Sequence, residues 1–240
     1  MPRSRFRQFL SRLFGGGRLN DMAPPDPARV PAPVIVPRAA PSAPPPPADP
    51  AQIAEEARDI IRRAVRTGFD DREQVQQSAI EMLEDEHDSE AVQAIVPALV
   101  DEEFAAHRRA QLGWPAITDC DRLDAAFAAL DETGIIARQN FTCCGTCGSA
   151  EIRAEMGEAR DAGRAVRGYG FYHMQDSESA AGGHGLYLNY GAFEEGEEAA
   201  LAVGQEIVAT LSRSGLSPDW DGSWSTRIAV PLDWKRRRTD

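Results

Sequence analysis

The chain has 240 residues, 42% of them hydrophobic, with four cysteines and a formal net charge of −12. Seven arginines against three acids make residues 1–50 basic, so the body from residue 51 onward is strongly acidic and repels phosphate backbones, which excludes general nucleic-acid binding. Four cysteines are too few for a disulfide-dense secreted scaffold, and no apolar run approaches the ~20 residues of a spanning helix.

From the N-terminus, Phe6, Phe9, Leu10, Leu13 and Phe14 fall on one helical stripe, with Arg3, Arg5, Arg7 and Arg12 around it. Residues 1–14 are therefore expected to form a basic amphipathic arm able to lie on an anionic membrane surface or to dock on a partner. The arginines break the apolar stretch and no small-residue cleavage site follows closely, which argues against a secretory signal. The expected location is the cytoplasm, peripheral to the inner membrane if the arm binds lipid. Twelve of the seventeen prolines lie in residues 23–50, so residues 15–50 read as an extended Pro/Ala-rich disordered linker.

Residues 51–115 form a helical region. Ile53, Ala57, Ile60, Ile61, Ala64 and Val65 mark one amphipathic helix, stopped by Gly68; Val75, Ala79, Ile80 and Leu83 mark a second. Asp88 or Ser89 caps a third, carrying Val92, Val96, Leu99, Val100 and Phe104, which Pro97 should kink or split. The acidic run 81–88 around His87 reads as a solvated helix end, and His107 as an ordinary helix-face histidine.

In residues 116–234, a helix starting at Asp119 or Asp121 precedes a strand at 135–141, a helix at 149–160 and strands at 168–174 and 185–190. A loop at 175–183 joins those two strands. A helix at 197–212 and a hairpin of 216–220 with 226–230 follow, and residues 235–240 are a basic tail. The fold class is α+β: the N-terminal helical segment packs on a ferredoxin-like antiparallel sheet domain, βαββαβ plus an extra strand. Both helices would cover one sheet face. Ile136, Arg138, Asn140, Tyr187 and Asn189 would line the other, partly covered by the N-terminal helices and otherwise free for a protein or small ligand.

Chemistry concentrates in Phe141-Thr-Cys-Cys-Gly-Thr-Cys-Gly148, which holds three of the four cysteines. Cys144 and Cys147 form a CxxC at a strand-to-helix junction, where the helix N-terminus favours a thiolate. Zinc accepts cysteines at this spacing. The metal candidates are Cys143, Cys144 and Cys147, with His173 and Cys120 as distant additions. Reversible thiol redox chemistry and plain packing of the helix start remain alternatives. An enzyme would set Cys144 or Cys147 as nucleophile beside His173, with Asp176 or Asp119 orienting the imidazole, but no catalytic motif supports it and no catalytic residue is assigned.

Several segments resemble a family of uncharacterised bacterial proteins, a domain of unknown function. They are Thr118-Asp-Cys-Asp-Arg-Leu-Asp-Ala-Ala-Phe127, Gly134 through Gly148 with its Phe-Thr-Cys-Cys-Gly-Thr-Cys-Gly run, Gly168 to Asp176, Gly185 to Gly191, and Trp220 to Ile228. The resemblance covers about residues 51–234 and implies no activity. The function expected is non-catalytic binding or regulation, tethered through the arm. The alternative is a thiol-redox or zinc protein centred on Cys143, Cys144 and Cys147.

Overall fold

The computed structural model describes residues 49–239. The arm expected at 1–14 and the linker expected at 15–50, apart from its last two residues, lie outside the described residues, and the described residues fall in one compact unit. Three helices come first: α1 (Pro50–Thr67), α2 (Arg72–Glu84) and α3 (Ser89–Gln111). Their starts follow from capping chemistry. The Asp49 carboxylate accepts from the Ala51 N–H ahead of Pro50, Asp71 forms a capping box with Gln74, and Asp88 accepts from the Ala91 N–H. Gly68, in the left-handed region at φ 79°, ends α1.

The apolar stripes of these helices meet in a core of their own, built on Ile53, Ile61, Val75, Leu83, Val96, Val100 and Phe104. Each such side chain stabilises the layer by roughly 1.5–3 kcal/mol on burial. Pro97 lies inside α3, which runs on past it as one element and is not split there.

The second layer contains α4 (Asp119–Glu132), β1 (Ile135–Arg138), α5 (Gly145–Asp161), β2 (Gly168–Phe171), α6 (Met174–Ala181), β3 (Leu186–Ala192), α7 (Glu197–Arg213) and β4 (Ile228–Val230). It is a mixed four-stranded sheet in the order β1-β2-β3-β4, with β1 and β2 parallel and the other two pairs antiparallel. The ferredoxin-like expectation needs correcting on this point. A split βαβ keeps another strand between its two parallel strands, whereas Ile135–Arg138 pair directly with Gly168–Phe171.

Helices also cover both faces. Leu123 and Phe127 of α4 and Val203 and Ile207 of α7 pack with Ile135, Ala137, Leu186 and Leu188. Ile152 of α5 packs on the opposite side with Ile136 and Phe171. The face expected to be open or covered by the N-terminal helices is thus covered in part by α5. The loop expected at 175–183 contains α6, and the expected strand at 216–220 supplies a single bridge, Asp219 to Ala229. The layers meet through α6 against α1 and through the C-terminal segment. Residues expected as a basic tail are built in: Arg236 pairs with Asp124 at 2.8 Å, Arg237 with Asp121 at 2.6 Å, and Arg238 lies over the Phe104 ring.

Candidate metal centre

The cysteine run forms the turn from β1 into α5. Asn140 (φ 51°) and Thr142 (φ 59°) both sit in the left-handed region, which costs a β-branched threonine on the order of 1–3 kcal/mol. Four bonds hold the turn there. Phe141 N–H donates to Tyr172 O at 2.8 Å and Met174 N–H to Thr142 O at 3.1 Å. The Ser177 hydroxyl donates to Asn140 Oδ1 at 2.7 Å, and the Thr142 hydroxyl to Cys144 O at 3.1 Å. The parallel pairing of β1 with β2 is what brings these segments side by side, so the cysteines stand at the carboxyl ends of two adjacent strands.

Cys144 is the N-cap of α5. The sulfurs of Cys143, Cys144 and Cys147 all lie within 4.8 Å of one another, and those of Cys143 and Cys147 are 3.5 Å apart. Cys143 is exposed and the other two are partly exposed. A tetrahedral zinc with bonds of about 2.3 Å separates its sulfurs by about 3.8 Å, so little movement is needed to place three thiolates on one ion. The N–H of Cys147, then the Cys147 thiol and the Thr146 N–H, hold the Cys144 thiol below its ordinary value. Cys147 moves the other way, to about 11, because its proton is shared with the Cys143 and Cys144 sulfurs.

Cys120 does not join this group. It is buried on α4, free of disulfide, and burial raises its thiol to about 11. His173 comes close without entering. Its Nε2 and Cδ2 would stand 3.8 and 3.7 Å from a Cβ on Gly145, the residue after Cys144. That Nε2 faces the Asp176 carboxylate at 3.1 Å, and His173 is absent from the set of ligand atoms within 4.8 Å. Burial holds its imidazole below the ordinary value, with the Arg227 charge acting in the same direction and Asp176 against it.

Asp176, and not Asp119, orients this ring. It also accepts from the His173 N–H at 3.1 Å and from Arg227 at 2.7 Å, whereas Asp119 holds Arg122 at 3.1 Å and the Asp233 N–H at 3.0 Å. The two remaining histidines of the helical region have structural partners: His87 meets Glu56 at 2.6 Å, and His107 meets the Arg236 carbonyl at 3.1 Å.

Sequence reasoning placed Asn189 on the ligand-facing side of the sheet but missed Arg227. Asn189 of β3 faces Gly145 and Arg227 reaches Asp176, and Asn189 Nδ2, Arg227 Nε and His173 Nδ1 are all buried without a hydrogen-bond partner. No local pattern marks Arg227, which comes to Asp176 from the position just before β4.

Together these features define a mixed α+β domain with a three-thiol cluster at its surface. The family described as "Domain of unknown function (DUF6891)" matches residues 50–238, so the chain belongs to that family. No curated protein and no solved structure matches the chain. Among the described residues, no helix is long and apolar enough to cross a membrane.

Proposed function

We propose that this domain is a non-catalytic binding module that holds one thiophilic ion, zinc foremost, on Cys143, Cys144 and Cys147. The observation that carries the reading is the mutual approach of three sulfurs within 4.8 Å. Three like-charged thiolates repel one another, and a divalent ion removes that cost. Cys120 would take no part, and His173 would support the turn through Gly145. The sequence-derived arm would deliver the module to an anionic membrane surface.

Metal analysis of the full-length chain, purified without a histidine tag or chelator, tests the reading. About one zinc per chain is expected for a dedicated three-thiolate site. Less than about 0.2 zinc or iron per chain would remove it. Equal partitioning of full-length chain and a Δ1–20 variant onto anionic vesicles would remove the membrane part.

A second reading is supported by the opposed shifts of Cys144 and Cys147, which leave one sulfur ready to attack and its neighbour holding a proton. In that case the domain is a dithiol redox protein. Titration against thiol–disulfide buffers, followed by mass spectrometry, would find a loss of two protons per chain with the fold retained.

A further inference from the structure

Away from the cysteines, two clefts meet along the outer side of α1. The first, about 480 Å3, is lined by Trp114, Trp234, His107, Arg62, Arg66 and Lys235 among others. The second, about 590 Å3, shares Arg62, Arg66 and Ala181 with it and adds Arg63 and the exposed His184. Both volumes fall in the ~300–1,000 Å3 range of small-molecule sites, and their position between two layers is where such sites tend to form. Ala181 at the end of α6 lines both, so the same short helix starts beside the cysteine turn and finishes here.

The wall chemistry is mixed. Two indoles line the first cleft, Trp114 in edge contact with His107 at 5.2 Å and Trp234 fixed by its N–H on the Arg66 carbonyl at 3.0 Å. Arginines line both clefts as well, in a chain whose body is otherwise acidic. Three of the four acids lining the clefts are already engaged: Glu103 by Arg58 and Arg62, Asp233 by Lys235, and Asp59 by Arg62. Among the described residues, Glu178 alone of these four lacks an ion pair, and Arg63 and Arg66 have no acidic partner. Two uncommitted guanidinium groups one helical turn apart suit a phosphate, and flat aromatic walls suit a planar ring.

We propose that this double cleft binds a small molecule of the nucleoside-phosphate class, its ring in the tryptophan-lined part and its phosphate at Arg63 and Arg66. A polymer is disfavoured by the charge of the surrounding body, so the ligand is a free nucleotide. The site is independent of the cysteine centre and should be present with or without metal.

Calorimetry and indole emission of the full-length chain, titrated with AMP and with ADP, test this. Saturable binding of one molecule per chain is expected, with adenosine and inorganic phosphate each at least about tenfold weaker than AMP. The double variant Arg63→Gln/Arg66→Gln should weaken AMP at least about tenfold with an unchanged melting temperature. Arg66→Gln alone should weaken it by a smaller factor, and serves if the double variant folds poorly. Absence of saturable binding overturns the proposal, as does equal affinity for AMP and adenosine, or an unaltered affinity in the folded arginine variants.

Discussion

The sulfurs of Cys143 and Cys147 lie 3.5 Å apart, although only one of the two belongs to the CxxC pair. The extended N-cap conformation of Cys144 carries the chain from an exposed Cys143 into the first turn of α5, where Cys147 comes back alongside. A pair motif in the sequence thereby becomes a three-sulfur cluster, and its chemistry depends on all three members.

Serine at any one of positions 143, 144 or 147 should lower zinc affinity by at least about 10–100-fold, while Cys120→Ser leaves it unchanged. Competition against a chromophoric chelator measures this. Affinity should also fall as pH is lowered, because each ligand must lose its proton to bind. Loss of zinc in Cys120→Ser with the fold intact would refute the three-thiol assignment.

In the metal-free chain, Cys144 should be alkylated faster than Cys147, and Cys120 slowest of all. The N–H groups at the start of α5 favour the Cys144 thiolate, whereas Cys147 and Cys120 stand at about 11 and carry little thiolate near neutral pH. Timed iodoacetamide labelling with peptide mapping reads the order, and unfolding should abolish the protection of Cys120. Native labelling of Cys120 as fast as Cys144 would contradict its burial.

The parts legible in the sequence were those set by local pattern. The 3.6-residue spacing of Ile53, Ala57 and Ile61 placed α1, and the choice of Asp119 or Asp121 placed the start of α4 within two residues. Helix α6 escaped because Met174–Ala181 has little apolar periodicity and begins at His173, which is not among the favoured capping residues. The strand order escaped for a different reason. Whether β1 pairs with β2 or with another strand depends on non-local packing, here of Ile152 and Phe171 against Ile136, and no residue pattern in β1 encodes that choice. The thiols were legible because they are neighbours in the chain. Arg227 and the cleft at Arg66 were not, because topology alone assembles them.

The two glycines bracketing Thr146 and Cys147 should differ in their tolerance of alanine. A Cβ on Gly148 would sit 2.4 Å from Phe171 Cε2, against a buried ring, and Gly148→Ala should cost about 1–3 kcal/mol. A Cβ on Gly145 meets nothing closer than 3.7 Å, so Gly145→Ala should be neutral or slightly stabilising. Urea unfolding of both variants separates them, and equal midpoints would mean that α5 does not pack on Phe171 as described.

Glu103 supplies an acid-sensitive link between α1 and α3. Burial pushes its carboxyl upward, but hydrogen bonds and charges from Arg62 and Arg58 outweigh that and hold it below the ordinary 4.5. A lowered native value means that the unfolded chain takes up the proton first. The contribution is therefore complete above about pH 4.5 and is lost as pH falls through the native value. Glu103→Gln should cost about 1 kcal/mol at neutral pH, since both arginines are more than a third exposed. It should also flatten the decline in stability on the acid side of pH 4.5, measured by denaturant unfolding across pH.

Arg236 should prove the most sensitive residue in the seam between the two layers. Its side chain is 13% exposed, donates to Asp124 and Gln139 at 2.8 Å, and lies 4.4 Å from the centroid of the Phe69 ring. Its Cγ would stand 2.8 Å from a Cβ on Gly68, so the glycine that ends α1 also leaves room for this arginine. Arg236→Ala opens that space and leaves the Tyr172 hydroxyl, at 2.7 Å, as the remaining donor to Gln139 Oε1. A loss of about 2–4 kcal/mol follows. Arg236→Lys should recover only part of it, because an ammonium cannot serve Asp124 and Gln139 with a planar fork while lying on the ring. Denaturant midpoints give the size of the effect, and amide exchange gives its place: protection should fall first at the end of α1 and the start of α4. A lysine variant as stable as the parent would show that charge alone, without the planar contacts, holds this seam.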